Sequence, residues 1–119
     1  MKLVRIISAT IPLLLAAQMA SATQSAFYGV TITGVNVDAG ANNVLFVKVN
    51  QPAGLGGCHT DPNWNFAISL DSVVNPTGKF MFAVLLAAQT SGAPIDIYGM
   101  NACPAFSTIQ GIQRVSYAN

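Results

Sequence analysis

The chain has no glutamate, one histidine, one tryptophan and two cysteines, and only five basic and four acidic residues among 119. Each scarcity removes a class of function. A carboxylate pair for glycoside hydrolysis can draw only on Asp38, Asp61, Asp71 and Asp96. Each has a plainer place: Asp38 and Asp61 in turns, Asp71 closing a strand, Asp96 on a polar strand face. A Ser-His-Asp arrangement needs His59, and no nucleophile-elbow pattern accompanies it. Cys58 and His59 are neighbours in sequence, whereas catalytic Cys-His pairs meet across a fold. The pair His59 and Asp61 offers a metal two ligands and no third. The glycine-rich stretch 54–57 lacks the Lys-Ser/Thr ending of a phosphate loop. The cations are too few and too scattered for phosphate-driven nucleic-acid binding. A non-enzymatic protein with neither metal nor cofactor is the expectation.

Long hydrophobic runs are missing too. The apolar stretch 6–17 is about a dozen residues, and a membrane span needs roughly 20. Lys2 and Arg5 precede it and Ala20-Ser21-Ala22 follows it, the order of a signal peptide and its cleavage site. Residues 1–22 are therefore expected to be a leader, with no membrane span after cleavage and a secreted or periplasmic product. Residues 23–119 then form a single domain. Its Lys48, Lys79 and Arg114 stand against four aspartates, so the net charge is slightly negative. With so few charges, solubility rests on amides and hydroxyls, and apolar surface is expected to be covered by other chains. Two cysteines in an exported domain predict one disulfide, Cys58–Cys103. It closes a loop of about 46 residues, valued at roughly 4 kcal/mol by chain entropy.

The pattern along the chain is strand, strand, strand, helix, strand, strand. Residues 27–37 (FYGVTITGVNV) alternate and are β-branched, with Gly29 and Gly34 marking bulges or bends. A turn cluster, 38–43, leads to a second strand over 44–49 (VLFVKV), as in a hairpin. Residues 64–70 (WNFAISL) predict a third strand with Trp64, Phe66, Ile68 and Leu70 on one buried face. Asn75-Pro76 reads as a helix start with Asn75 as cap, and Gly92 as its stop. No charge falls between Lys79 and Asp96, so the helix over 76–91 is apolar nearly all round. It is either sunk in the monomer or packed against other subunits, and for so small a domain the second reading is preferred, with Phe82 and Leu86 as interface residues. Residues 94–98 and 109–117 predict the last two strands. One helix between the third and fourth of five strands is the order of an OB-type barrel, a fold that mostly binds. Tyr28, Trp64 and Tyr98 with Asn63 and Asn65 offer aromatic faces and amides, a mixture suited to sugars. For Trp64 a place in the core competes with that role.

Several segments resemble a known family. FYGVTIT (27–33), VLFVK (44–48), and the helix followed by SGAPIDIY (91–98) are similar to the first strand, second strand and helix-strand junction of the B subunits of pertussis-like and subtilase-cytotoxin-type bacterial toxins. The resemblance implies a mainly β, five-stranded OB-fold-like barrel of order β-β-β-α-β-β. It implies a pentameric homo-oligomer with its helices around a pore, glycan recognition, and docking to an enzymatic A-type subunit. Ligand contacts are then expected at Tyr28 and Asp38 near the first strand, and next at Tyr98. The chain departs from the family at Tyr28, where a serine contacts sialic acid, and near Val47, where the family has a cysteine. The alternative function is a secreted structural or inhibitory protein that binds another protein through the apolar helix and takes no small ligand.

Overall fold

The first strand expected over 27–37 is two strands that belong to two sheets. In a computed structural model, which describes residues 25–51 and 57–117, β1 spans Ser25–Val30 and β2 spans Ile32–Asp38. The leader expected at 1–22 lies outside the described residues. Gly29 explains half of the break. It sits at φ +62°, a region costly for residues with a Cβ, inside a register shift between Phe27 and Val30. Thr31 supplies the rest. Its N–H donates to Asn50 Oδ1 at 3.1 Å and its carbonyl accepts from Asn50 N at 3.1 Å, so it turns from one sheet to the other with its backbone paired. A second irregularity, between Ile32 and Gly34, coincides with the other glycine expected to bend the chain.

The hairpin and second strand form as expected. Asp38 Oδ1 caps a short 3-10 turn, Ala39–Ala41, by accepting from Gly40 N at 2.8 Å. Asn42 and Asn43 take left-handed conformations that asparagine tolerates. β3 follows over Val44–Val49. Leu45, Val47 and Val49 point into the main core, whereas Val44 and Phe46 enter a second, smaller cluster. Both faces of β3 are thus covered, which is why VLFVKV shows almost no polar alternation.

β4 departs from its sequence pattern. It spans Phe66–Ser69, and Phe66 and Ile68 enter the main core. Trp64, expected beside them, packs instead with Phe46, Ala67 and Ile109 in the smaller cluster. Asn65 is the reason. It is buried, its Oδ1 accepts from Val49 N at 3.0 Å and its Nδ2 donates to Gln51 O at 3.2 Å. Tying an amide into the neighbouring backbone breaks the alternation ahead of Phe66, so two faces are buried where one was expected. Asn65 is accordingly structural, and not an exposed amide for a ligand.

α1 spans Gly78–Ser91, two residues shorter at its start than expected. Thr77, and not Asn75, is the capping residue, and its side chain makes no capping bond. Asn75 does other work. Its Nδ2 donates to Ser69 O and its Oδ1 accepts from the Thr77 hydroxyl, pinning the start of the helix to the end of β4. The fit is close enough that a Cβ on Gly78 would lie 2.1 Å from Ser69 O. The helix stops at Gly92, φ +71°, as expected. Leu85 and Ala88 are buried, with Met81 and Phe82 packed on the core beside them. Phe80 and Leu86 face outward.

β5 spans Ile95–Gly99 and β6 spans Ile112–Tyr117. Ile109, expected to open the last strand, instead pairs with Phe106 in a tight turn ahead of it. The sheets are β1-β5-β6 and β2-β3-β4, both antiparallel. The described residues are therefore mainly β, with one helix and six strands where five were expected, and among them no ladder closes the sheets into one barrel. They share a core of Val30, Leu45, Phe66, Leu85, Ile95 and Ile97, among others. Each such side chain contributes about 1.5–3 kcal/mol by leaving water. Phe27 meets Phe66 edge-on across the core at 5.3 Å. On the far side a backbone bond, Ala67 N to Gln110 O at 3.0 Å, joins β4 to the segment leading into β6. The Cys58–Cys103 disulfide forms as expected and links the loop before β4 to the loop before β6.

Candidate ligand-binding face

The outer face of the β1-β5-β6 sheet collects most of the exposed chemistry. Strand alternation positions it. In β5, Ile95, Ile97 and Gly99 are buried, so Asp96 and Tyr98 point out. Antiparallel register sets Arg114 opposite Tyr98 and Ser116 opposite Asp96. From β1, Tyr28 stands 64% exposed beside the Gly29 bulge. Its ring meets Tyr98 edge-on, with centroids 6.0 Å apart. The Arg114 guanidinium lies 4.2 Å above the centre of the Tyr98 ring, a cation–π contact worth about 0.5–1 kcal/mol at an exposed position. Asp96 Oδ1 accepts from Gly29 N at 2.9 Å, which fixes the bulge to β5. That bond leaves the second carboxylate oxygen for other partners.

The two phenols influence each other. The Tyr28 hydroxyl is held above its ordinary pKa, first by the Tyr98 phenolate it would confront and by its hydrogen bond to Tyr98, then by partial desolvation and Asp96; Arg114 opposes them. Tyr28 therefore stays a neutral hydrogen-bonding group through the physiological range. The face presents two phenol rings, a guanidinium whose donors are unshared among the described residues, and a carboxylate oxygen, without a nucleophile-base pair among them.

Of the three residues singled out from sequence, the fold brings Tyr28 and Tyr98 together. Asp38 lies on the other sheet, at the turn of the β2–β3 hairpin, with Oδ1 committed to Gly40 N. Arg114 and Asp96 were not singled out as ligand contacts. Arg114 was hidden because the connection from Gly99 to Ile112 obscures the register that puts it over Tyr98.

Among the described residues no cluster of three or more His, Cys, Asp or Glu can hold a metal ion. Asp61 Oδ1 accepts from Asn63 N at 2.7 Å and Trp64 N at 2.9 Å. These bonds, from Trp64 foremost, hold its carboxyl below the usual carboxylate range against the effect of burial, with some help from His59. A cleft of about 280 Å³ lies beside the seam between β4 and β6, walled by Ala67, Ser69, Met81, Met100, Pro104 and Gly111, among others. Val73 and Val74 stand exposed just before the helix, and Phe80 on the helix is 74% exposed. Among the described residues no helix is long and apolar enough to cross a membrane. No protein-family model, curated protein or solved structure matches this chain.

Proposed function

We propose that this protein is an exported, non-enzymatic binding module that recognises a glycan through the outer face of β1-β5-β6. The observation that carries this reading is the exposed cluster of Tyr28, Tyr98 and Arg114 with Asp96 beside it. Sugars offer apolar C–H faces for aromatic rings and hydroxyl pairs for planar donors and carboxylates. We read the two sheets as halves of one OB-like barrel. They share the divided first strand, and the Ala67–Gln110 bond lies where the remaining strands approach. That reading and the segment resemblances support a relation to toxin B subunits, including a homo-oligomer of pentamer type and an A-type partner subunit. The disulfide is in keeping with an exported protein.

The test is a glycan array probed with the oxidised protein and with Tyr28→Ala, alongside a solution mass by light scattering. Binding that Tyr28→Ala abolishes supports the ligand face. A blank array for the unaltered protein ends the glycan reading. A mass near that of one protomer ends the ring reading.

A second reading has its own observation. Phe80 and Leu86 on the helix, with Val73 and Val74 before it, leave apolar surface exposed. A structural or inhibitory protein that docks another secreted protein through this helix, with no small ligand, would use that surface. Leu86→Asp would then abolish partner binding while Tyr28→Ala leaves it unchanged.

A further inference from the structure

His59 is the one histidine of the chain, and two hydrogen bonds fix its protonation state. Gln110 N lies 3.1 Å from His59 Nδ1. A backbone N–H can only donate, so Nδ1 is the acceptor. The proton of the neutral ring then sits on Nε2, which donates to Asp61 O at 3.0 Å. Protonation at Nδ1 would place an N–H against the N–H of Gln110, and the bond would be lost.

Gln110 is a hub. Its N–H is held by His59, and its carbonyl accepts the Ala67 N–H that joins β4 to the segment before β6. Its carboxamide is fully buried, and among the described residues neither Oε1 nor Nε2 has a partner. The amide is wedged against Gly99, where a Cβ would lie 2.3 Å from Oε1. A buried amide without partners favours any movement that lets water reach it. The seam is thus closed over a group that favours its opening. The rest of the closure comes from the loop 57–63: Thr60 N and Asp61 N both donate to Thr108 O, and Cys58 is bonded to Cys103.

We propose that His59 is an acid-released latch. Neutral, it holds Gln110 and closes the seam between the two sheets; protonated, it lets Gln110 go, hydrates the buried amide and widens the cleft bounded by Ala67 and Gly111. The disulfide keeps the released loop tethered, so the opening is local and reversible. Histidine is the side chain that ordinarily changes charge in mildly acidic solution. The charged group facing His59 is the Asp61 carboxylate. From the opposing segment Thr108 and Gln110 present nothing that titrates, and neither does the disulfide. This device does not depend on the ligand proposed for the outer face.

The test compares the oxidised protein with His59→Asn, whose Oδ1 can accept from Gln110 N without titrating. Trp64, the single tryptophan, follows the loop through its bond to Asp61 and reports by fluorescence. Between about pH 7.5 and 5, the protein should show one step in Trp64 emission. The amides of Thr60, Asp61 and Gln110 should lose exchange protection beyond the intrinsic pH effect. His59→Asn should show neither change. The proposal is overturned if the unaltered protein shows no step, or if His59→Asn shows the same one. Should His59→Asn fail to fold, nitrogen chemical shifts of the imidazole decide. A proton on Nε2 at neutral pH that gains a partner on Nδ1 in step with the emission change upholds the latch, and a proton on Nδ1 at neutral pH overturns it.

Discussion

The two sheets are built from similar material and differ in what covers them. In β2-β3-β4 the central strand is buried on both faces, with Leu45 and Val47 in the main core and Val44 and Phe46 in the smaller cluster that Trp64 covers. In β1-β5-β6 the inner face carries Ile95 and Ile97 into the same core, but the outer face is bare and holds Tyr28, Tyr98, Asp96 and Arg114. A sheet covered twice has its residues committed to packing. A sheet covered once has half of its residues available for another molecule. Under the proposed function, the difference puts stability on one side of the fold and recognition on the other, and substitutions can test whether that division is real.

The largest effect should come from Phe66, fully buried and in edge contact with Phe27. Phe66→Ala is expected to destabilise by about 3–5 kcal/mol, read from the denaturant midpoint. Asn65 comes next, because Asn65→Leu orphans Val49 N and Gln51 O. A loss of roughly 1–3 kcal/mol is expected, and an unchanged midpoint would show that the amide does not hold the two segments together. Asp61 sharpens the division through pH. Its carboxyl is depressed in the folded protein, so its contribution is present above the unfolded carboxylate value of about 3.9 and is lost as pH falls through the lower folded value. Asp61→Ala should remove that acid limb from the stability profile and cost about 0.5–2 kcal/mol near neutrality, as loss of a capping side chain does. Smallest of all should be Tyr28→Ala on the open face, which is expected to leave the denaturant midpoint essentially where it is in the unaltered protein. If Tyr28→Ala destabilises as much as Asn65→Leu, the outer face belongs to the core after all and the comparison fails.

How much of this was legible in the sequence follows the same division. Local signals were read well: Gly29 and Gly34 at irregularities, the turn at 38–43, Gly92 at the helix stop, and the cysteine pair. Each depends on one residue's conformational freedom or chemistry. What stayed hidden depends on partners far along the chain. The alternation from Trp64 to Leu70 gave no hint that Asn65 would be drawn to Val49 N, which turns Trp64 to the opposite side from Phe66. Asn75 has the composition of a helix cap, yet Ser69 O claims its amide. In the candidate site Tyr28 and Tyr98 were found as aromatics on strands. Arg114 needed the β5–β6 register, and Asp38 was included on proximity in sequence, which the change of sheets at Thr31 makes misleading.

The division of the first strand also bears on how the chain folds. β2 finds its partner at once, through a tight turn to β3. β1, which precedes it without a linker longer than Thr31, pairs with β5, so Ser25 waits for Gly99. The first of the described strands is thus paired only after three later strands and the helix have been made. Contacts of such high sequence separation place the protein among slow folders, on a scale of milliseconds to seconds. Until β5 arrives, β1 is an unpaired edge, exposed through the making of β2, β3, β4 and the helix.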